Sequence, residues 1–113
     1  MVIRIDARRL TDAAALHTVV AEAFGFFEGY GKNLDALVDC LSHLDDPKAG
    51  QSRVQVAPGQ IVLLAIEHAH GLNPAAVAQM KSLGDVVAFV NWRRLESKQP
   101  PLLAMAYEVS PTR

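Results

Sequence analysis

The chain has 113 residues, half of them apolar and a fifth charged, with a formal net charge of −1. That length is one domain's worth, enough to bury a core without metal or disulfide staples, and the apolar content excludes a disordered chain. The near-neutral charge excludes a global attraction to nucleic acid or to an anionic membrane, so any electrostatic function must be local.

Met1 to Ala7 alternates Val2, Ile3 and Ile5 with Arg4 and Asp6, as an edge strand with one wetter face does. Thr11 is a candidate N-cap for a first helix over about 12–24, with Asp12 in its first turn. Leu16, Val19, Val20 and Phe24 mark its buried side, and Gly25 is its stop. Phe26, Phe27 and Tyr30 then form an aromatic approach to a second helix, best read as packing where the two helices meet. Gly31 offers a left-handed turn and Asn33 a cap, after which Leu34, Leu37, Val38 and Leu41 fall on one helical face. At about 100° per residue, Asp35, Ser42, Asp39 and Asp46 gather on the adjacent face.

Residues 45–60 read as a loop, or a short hairpin built on Val54 and Val56, with a turn at Pro58 and Gly59. Ile61 to Ile66 is a continuous apolar run, the pattern of a strand buried on both faces. Asn73 and Pro74 open a third helix that Gly84 and Asp85 are expected to end. A fourth follows with Val86, Val87, Phe89, Val90 and Trp92 facing the core and Arg93, Arg94 and Lys98 near its end. Pro100 and Pro101 stop it, Leu102 to Val109 is the last strand, and residues 110–113 are a tail. Strands separated by helical crossovers argue for an α/β fold with a small parallel sheet.

Cys40 is the single cysteine, which excludes an intrachain disulfide and fits a reducing compartment. Arg4, Asp6, Arg8 and Arg9 stand where a signal peptide needs its apolar region, and no uncharged apolar run approaches membrane-spanning length. The expectation is a cytoplasmic protein, one domain over residues 1–113.

The one constellation without a structural reason is Asp35 with Asp39. Carboxylates one helical turn apart repel by a few tenths of a kcal/mol, roughly the like-charge cost at this spacing, and Asp39 is too deep to gain from the helix dipole. An acidic helix face is nonetheless most often plain solvated surface. Cys40 with His43 lacks the third group and oxyanion donor that nucleophilic catalysis needs, and a buried structural thiol is the commoner meaning. His68 and His70 lack a third metal ligand. Neither a catalytic centre nor a metal or other cofactor is expected.

The run from Tyr30 to Leu41, with Gly31, Asn33, Leu34, Asp35, Ala36, Leu37, Asp39, Cys40 and Leu41, resembles the second helix of the barstar family, intracellular inhibitors of secreted bacterial ribonucleases. Leu16, His17, Phe24, Gly25 and Phe26 are similar to family sequences too, and beyond Asp46 the likeness is one of element order. The resemblance implies a barstar-like fold: three parallel strands packed with about four helices. It also implies a function: Asp35 and Asp39 enter the cationic cleft of a basic secreted ribonuclease or toxin nuclease and meet the groups that hold RNA phosphates, with no direct nucleic-acid contact. Tyr30, Asn33 and Gly31 would shape the approach, and Ser42 and Asp46 would flank it. From Glu28 to Asp46 the chain carries Glu28, Asp35, Asp39, Asp45 and Asp46 against Lys32, a local charge of −4 that would steer a basic partner. Gly29 stands where the family has an aromatic before Tyr30, and Val38 where it has tryptophan. Cationic Lys32 replaces an acidic group of the family, and no counterpart aligns with a further acidic residue of its last helix. The alternative to an inhibitor is an interaction module of the same fold whose acidic helix binds a basic protein that is not a nuclease. Oligomeric state is not legible in the sequence.

Overall fold

The computed structural model describes residues 1–108. Strand β1 (Val2–Asp6) leads through a 3-10 turn at Ala7–Arg9 to helix α1 (Ala13–Phe24). Helix α2 (Leu34–Ser42), a second 3-10 turn at Pro47–Ala49, β2 (Val62–Glu67), α3 (Pro74–Glu96) and β3 (Leu103–Tyr107) follow. The sheet is parallel throughout, in the order β1-β2-β3, with Ile3 opposite Leu64 and Leu64 opposite Met105. β1 is an edge strand, as its alternation indicated.

Register sorts the two faces of the sheet. Ile5, Val62, Leu64, Ile66 and Leu103 are on the packed face and fully or nearly fully buried. On the opposite face Leu63 and Ala65 are only half-buried, and Arg4 reaches Glu67 at 3.3 Å in an open ion pair. The apolar run of β2 is therefore not buried equally on both sides, and Ile61, just outside the strand, is 43% exposed.

Three α-helices stand among the described residues where about four were expected, because α3 runs unbroken through Gly84 and Asp85. Asn73 caps it, its Oδ1 accepting from Ala76 N at 2.9 Å, and Pro74 takes the first position, where a missing N–H costs nothing. Gly84 fails to end the helix because Leu83, Val86, Val87 and Val90 continue one buried stripe across it. That burial outweighs the roughly 1 kcal/mol a mid-helix glycine costs. Phe89 and Trp92 lie off the stripe and are 47% and 56% exposed, which corrects the expectation that they face the core.

Asp12, not Thr11, caps α1, accepting from Ala15 N at 2.7 Å. Gly25 ends the helix at φ 65°, and a Cβ there would also lie 2.9 Å from the Cβ of Arg53. The segment after α2 forms no hairpin of its own. It doubles back along the end of α1, with Arg53 N donating to Gly25 O, Val54 N to Phe24 O and an antiparallel bridge between Phe26 and Ser52. Val109 and residues 110–113, expected as strand end and tail, lie outside the described residues.

Candidate functional site

Helix α2 is docked mainly on α3 rather than on the sheet. Leu37, Cys40 and Leu41 are buried beneath it, while Asp35 and Asp39 project from the exposed side. Asn33 is the cap, its Oδ1 accepting from Ala36 N at 2.8 Å, and its amide lies 3.4 Å from the carbonyl of Gly31. The left-handed residue of this turn is Lys32, at φ 55°, and not Gly31. A lysine is strained there where a glycine would not be.

Tyr30 is 7% exposed, so it supports the approach to the helix from beneath. Its hydroxyl lies 2.5 Å from Nδ1 of buried His17, and its ring packs on Phe26 at 4.9 Å between centroids. Burial raises the phenol's pKa and lowers that of the His17 imidazole, which keeps both groups neutral. Burial also pushes the Cys40 thiol up to about 11, with the nearby Asp39 charge adding to the effect. The thiol is thus protonated at neutral pH, the reverse of an activated nucleophile. No group of three or more potential metal ligands occurs among the described residues.

The two carboxylates differ in company. Asp35 has no hydrogen-bond or ion-pair partner among the described residues. Asp39 Oδ2 accepts from Gln51 Nε2 at 2.6 Å, and its Oδ1 is 3.6 Å from Nδ1 of His43, which also meets the Asp39 carbonyl at 2.7 Å. The loop after α2 thus holds Asp39 in place, a contact no helical pattern could reveal. Ser42, half-buried, donates to Val38 O at 2.6 Å. Because α2 ends at Ser42, Asp46 is not on the helix face. It caps the following 3-10 turn, accepting from Lys48 N at 3.1 Å.

Asp45 leaves the acidic surface altogether. Its two oxygens take both terminal nitrogens of Arg94, at 3.2 and 2.7 Å, and Arg94 Nε donates to Pro100 O at 2.9 Å. Arg94 is 7% exposed, so this is an internal fork between the loop after α2 and the end of α3. Pairing of Asp45 lowers the exposed charge of Glu28 to Asp46 from −4 to −3.

Where the family has an aromatic before Tyr30, the ring of Phe27 lies beside Gly29. A Cβ at Gly29 would lie 2.6 Å from Cε2 of Phe27, whose ring, 43% exposed, occupies that space. On the other flank, Leu34, Asp35 and Val38 line a groove whose far wall is Ser82, Asp85, Val86 and Phe89 of α3. Position 82, 85, 89 and 92 form a second stripe at helical spacing, the sequence signal that could have found this wall.

A one-faced parallel sheet, helices packed on it and a short outer helix with exposed carboxylates define the class, a small α/β domain of barstar-like fold. The family model described as Barstar (barnase inhibitor) matches residues 1–105, and the chain belongs to that family. The match thus continues far beyond Asp46, where the local likeness had thinned. No curated protein matches the chain.

Proposed function

We propose that the chain is an intracellular inhibitor of a basic ribonuclease or toxin nuclease, a binding protein rather than an enzyme, working in the cytoplasm. The observation that carries the reading is the exposed pair Asp35 and Asp39 on the outer helix of a barstar-family domain. Asp35 has no partner among the described residues, and Asp39 is held by the side chain of Gln51, with His43 at 3.6 Å and no lysine or arginine paired to it among the described residues. Two carboxylates at this spacing fit cations that otherwise bind successive phosphates, and arginine donors would make the contacts bidentate. The plug imitates the charge of the substrate and offers no bond to cleave.

The experiment is inhibition of purified secreted ribonucleases from the same organism by the wild-type chain and by Asp39→Ala. The expected result is tight inhibition by wild type and at least about thirtyfold weaker inhibition by the variant, the low end for truncating one member of a desolvated charge pair. A wild-type chain that binds only proteins without nuclease activity would favour the interaction-module alternative.

A further inference from the structure

The groove between α2 and α3 has a volume of about 220 Å³, and both charged side chains on its walls are carboxylates. Asp85 is engaged by Lys81 at 3.0 Å, while Asp35 is unengaged among the described residues. Leu34, 46% exposed, and Phe89, 47% exposed, stand on opposite walls, with Val38 and the nearly buried Val86 between them. Neither large side chain is needed by the core. The docking of α2 uses Leu37 and Leu41, and the buried stripe of α3 passes through Val86 and Val90. Outside the groove the Phe89 ring stacks on Trp92 at 6.1 Å and has the Arg93 guanidinium 5.7 Å from its centroid. An apolar cleft with an aromatic wall and an unengaged carboxylate on its rim has the make-up of a binding hot spot.

We propose that this groove is a second contact of the same interface, receiving an aliphatic or aromatic side chain that the nuclease carries beside its phosphate-binding cations. A cation of the partner pairs with Asp35 at the rim while the apolar side chain fills the space between Leu34 and Phe89. The unengaged carboxylate of Asp35 at the rim favours a cation of the partner, and the apolar side chains of Leu34, Val38 and Phe89 favour an apolar residue beside it. The proposal rests on the inhibitor reading and adds a specificity determinant from α3.

The test uses the full chain and a purified secreted ribonuclease of the same organism, with inhibition and dissociation rates measured for wild type, Asp39→Ala, Phe89→Ala, Phe89→Leu and Val77→Ala. Val77 is exposed on the same helix about 18 Å away, at 1.5 Å rise per residue, and serves as the control. Phe89→Ala is expected to weaken binding about tenfold, mostly through faster dissociation, with Phe89→Leu recovering most of the loss and Val77→Ala showing none. The Phe89→Ala ratio should hold steady as salt is raised while the Asp39→Ala ratio shrinks, because apolar contacts are not screened. Thermal melts confirm that each variant folds, as expected for a half-exposed side chain. If Asp39→Ala weakens inhibition and Phe89→Ala does not, or if both losses shrink together with salt, the groove proposal is overturned and the inhibitor reading stands. If wild type inhibits no ribonuclease of the organism, both fall.

Discussion

Arg94 is the one buried charged side chain of Lys, Arg, Asp or Glu type among the described residues. It forks onto Asp45 and ties down the carbonyl of Pro100, so the loop after α2 and the exit from α3 are fixed by one guanidinium. Asp45→Asn leaves that guanidinium buried with half its partner lost, and the expected cost is roughly 3 kcal/mol, read from urea unfolding. Replacing both, as in Asp45→Leu with Arg94→Met, should recover most of it, since a packed apolar pair needs no desolvated charge. His17 is the other buried polar residue that sets a measurable property. Burial lowers its pKa from the ordinary 6.5, so the native chain holds it neutral while the unfolded chain takes up a proton as pH falls below that value. Its contribution is complete above about pH 6.5 and is lost progressively below it as the folded pKa is approached. Thermal midpoints at about pH 7.5 and 5.5 should therefore drop further for wild type than for His17→Gln. Equal drops would show that His17 does not govern the acid limb.

Helix α3 shows why a glycine and an aspartate do not always end a helix. The buried stripe from Leu83 to Val90 continues across them, and Asp85 is exposed and paired with Lys81 one turn back. Toward the end of the helix, the amide of Asn91 bridges to the next strand, its Oδ1 accepting from Leu102 N and Leu103 N and its Nδ2 donating to Leu103 O at 2.7 Å. Gly84 has room for a side chain: an added Cβ would meet only the Tyr107 hydroxyl, at 3.8 Å. Gly84→Ala should therefore stabilise the protein by about 0.5 to 1 kcal/mol, visible as a raised melting temperature with the same fold. A lowered midpoint would mean that the glycine is needed for packing. Helix α2 is the contrasting case. Its cap at Asn33 and buried face at Leu37 and Leu41 follow from local pattern alone.

For the molecule as a whole, the acidic surface is local and modest. With Asp45 withdrawn, the exposed charge of the Glu28 to Asp46 stretch is −3 against a chain total of −1. Such a patch steers a basic partner over little more than a Debye length, about 10 Å at 0.1 M salt. Association with an inhibited nuclease should accordingly slow as salt rises from about 0.05 to 0.5 M, with dissociation changing less, a pattern that stopped-flow measurements resolve. An association rate indifferent to salt would remove the steering role from these carboxylates.

The sequence by itself determined the order of the three strands, helices α1 and α2 with the cap at Asn33, and the placing of Asp35 and Asp39 on an outward helix face; it also indicated the edge position of β1 and the family. The helix caps and faces depend on neighbours within about one or two turns of chain, where periodicity and capping chemistry act. Tertiary structure decided the rest. It joined the two predicted C-terminal helices into one, sank Tyr30 against His17, drew Asp45 away to Arg94 and tethered Asp39 to Gln51. It also turned Phe89 toward α2 to wall a groove. These outcomes come from contacts between segments distant in sequence, where burial of apolar surface and pairing of buried charge outweigh local preference.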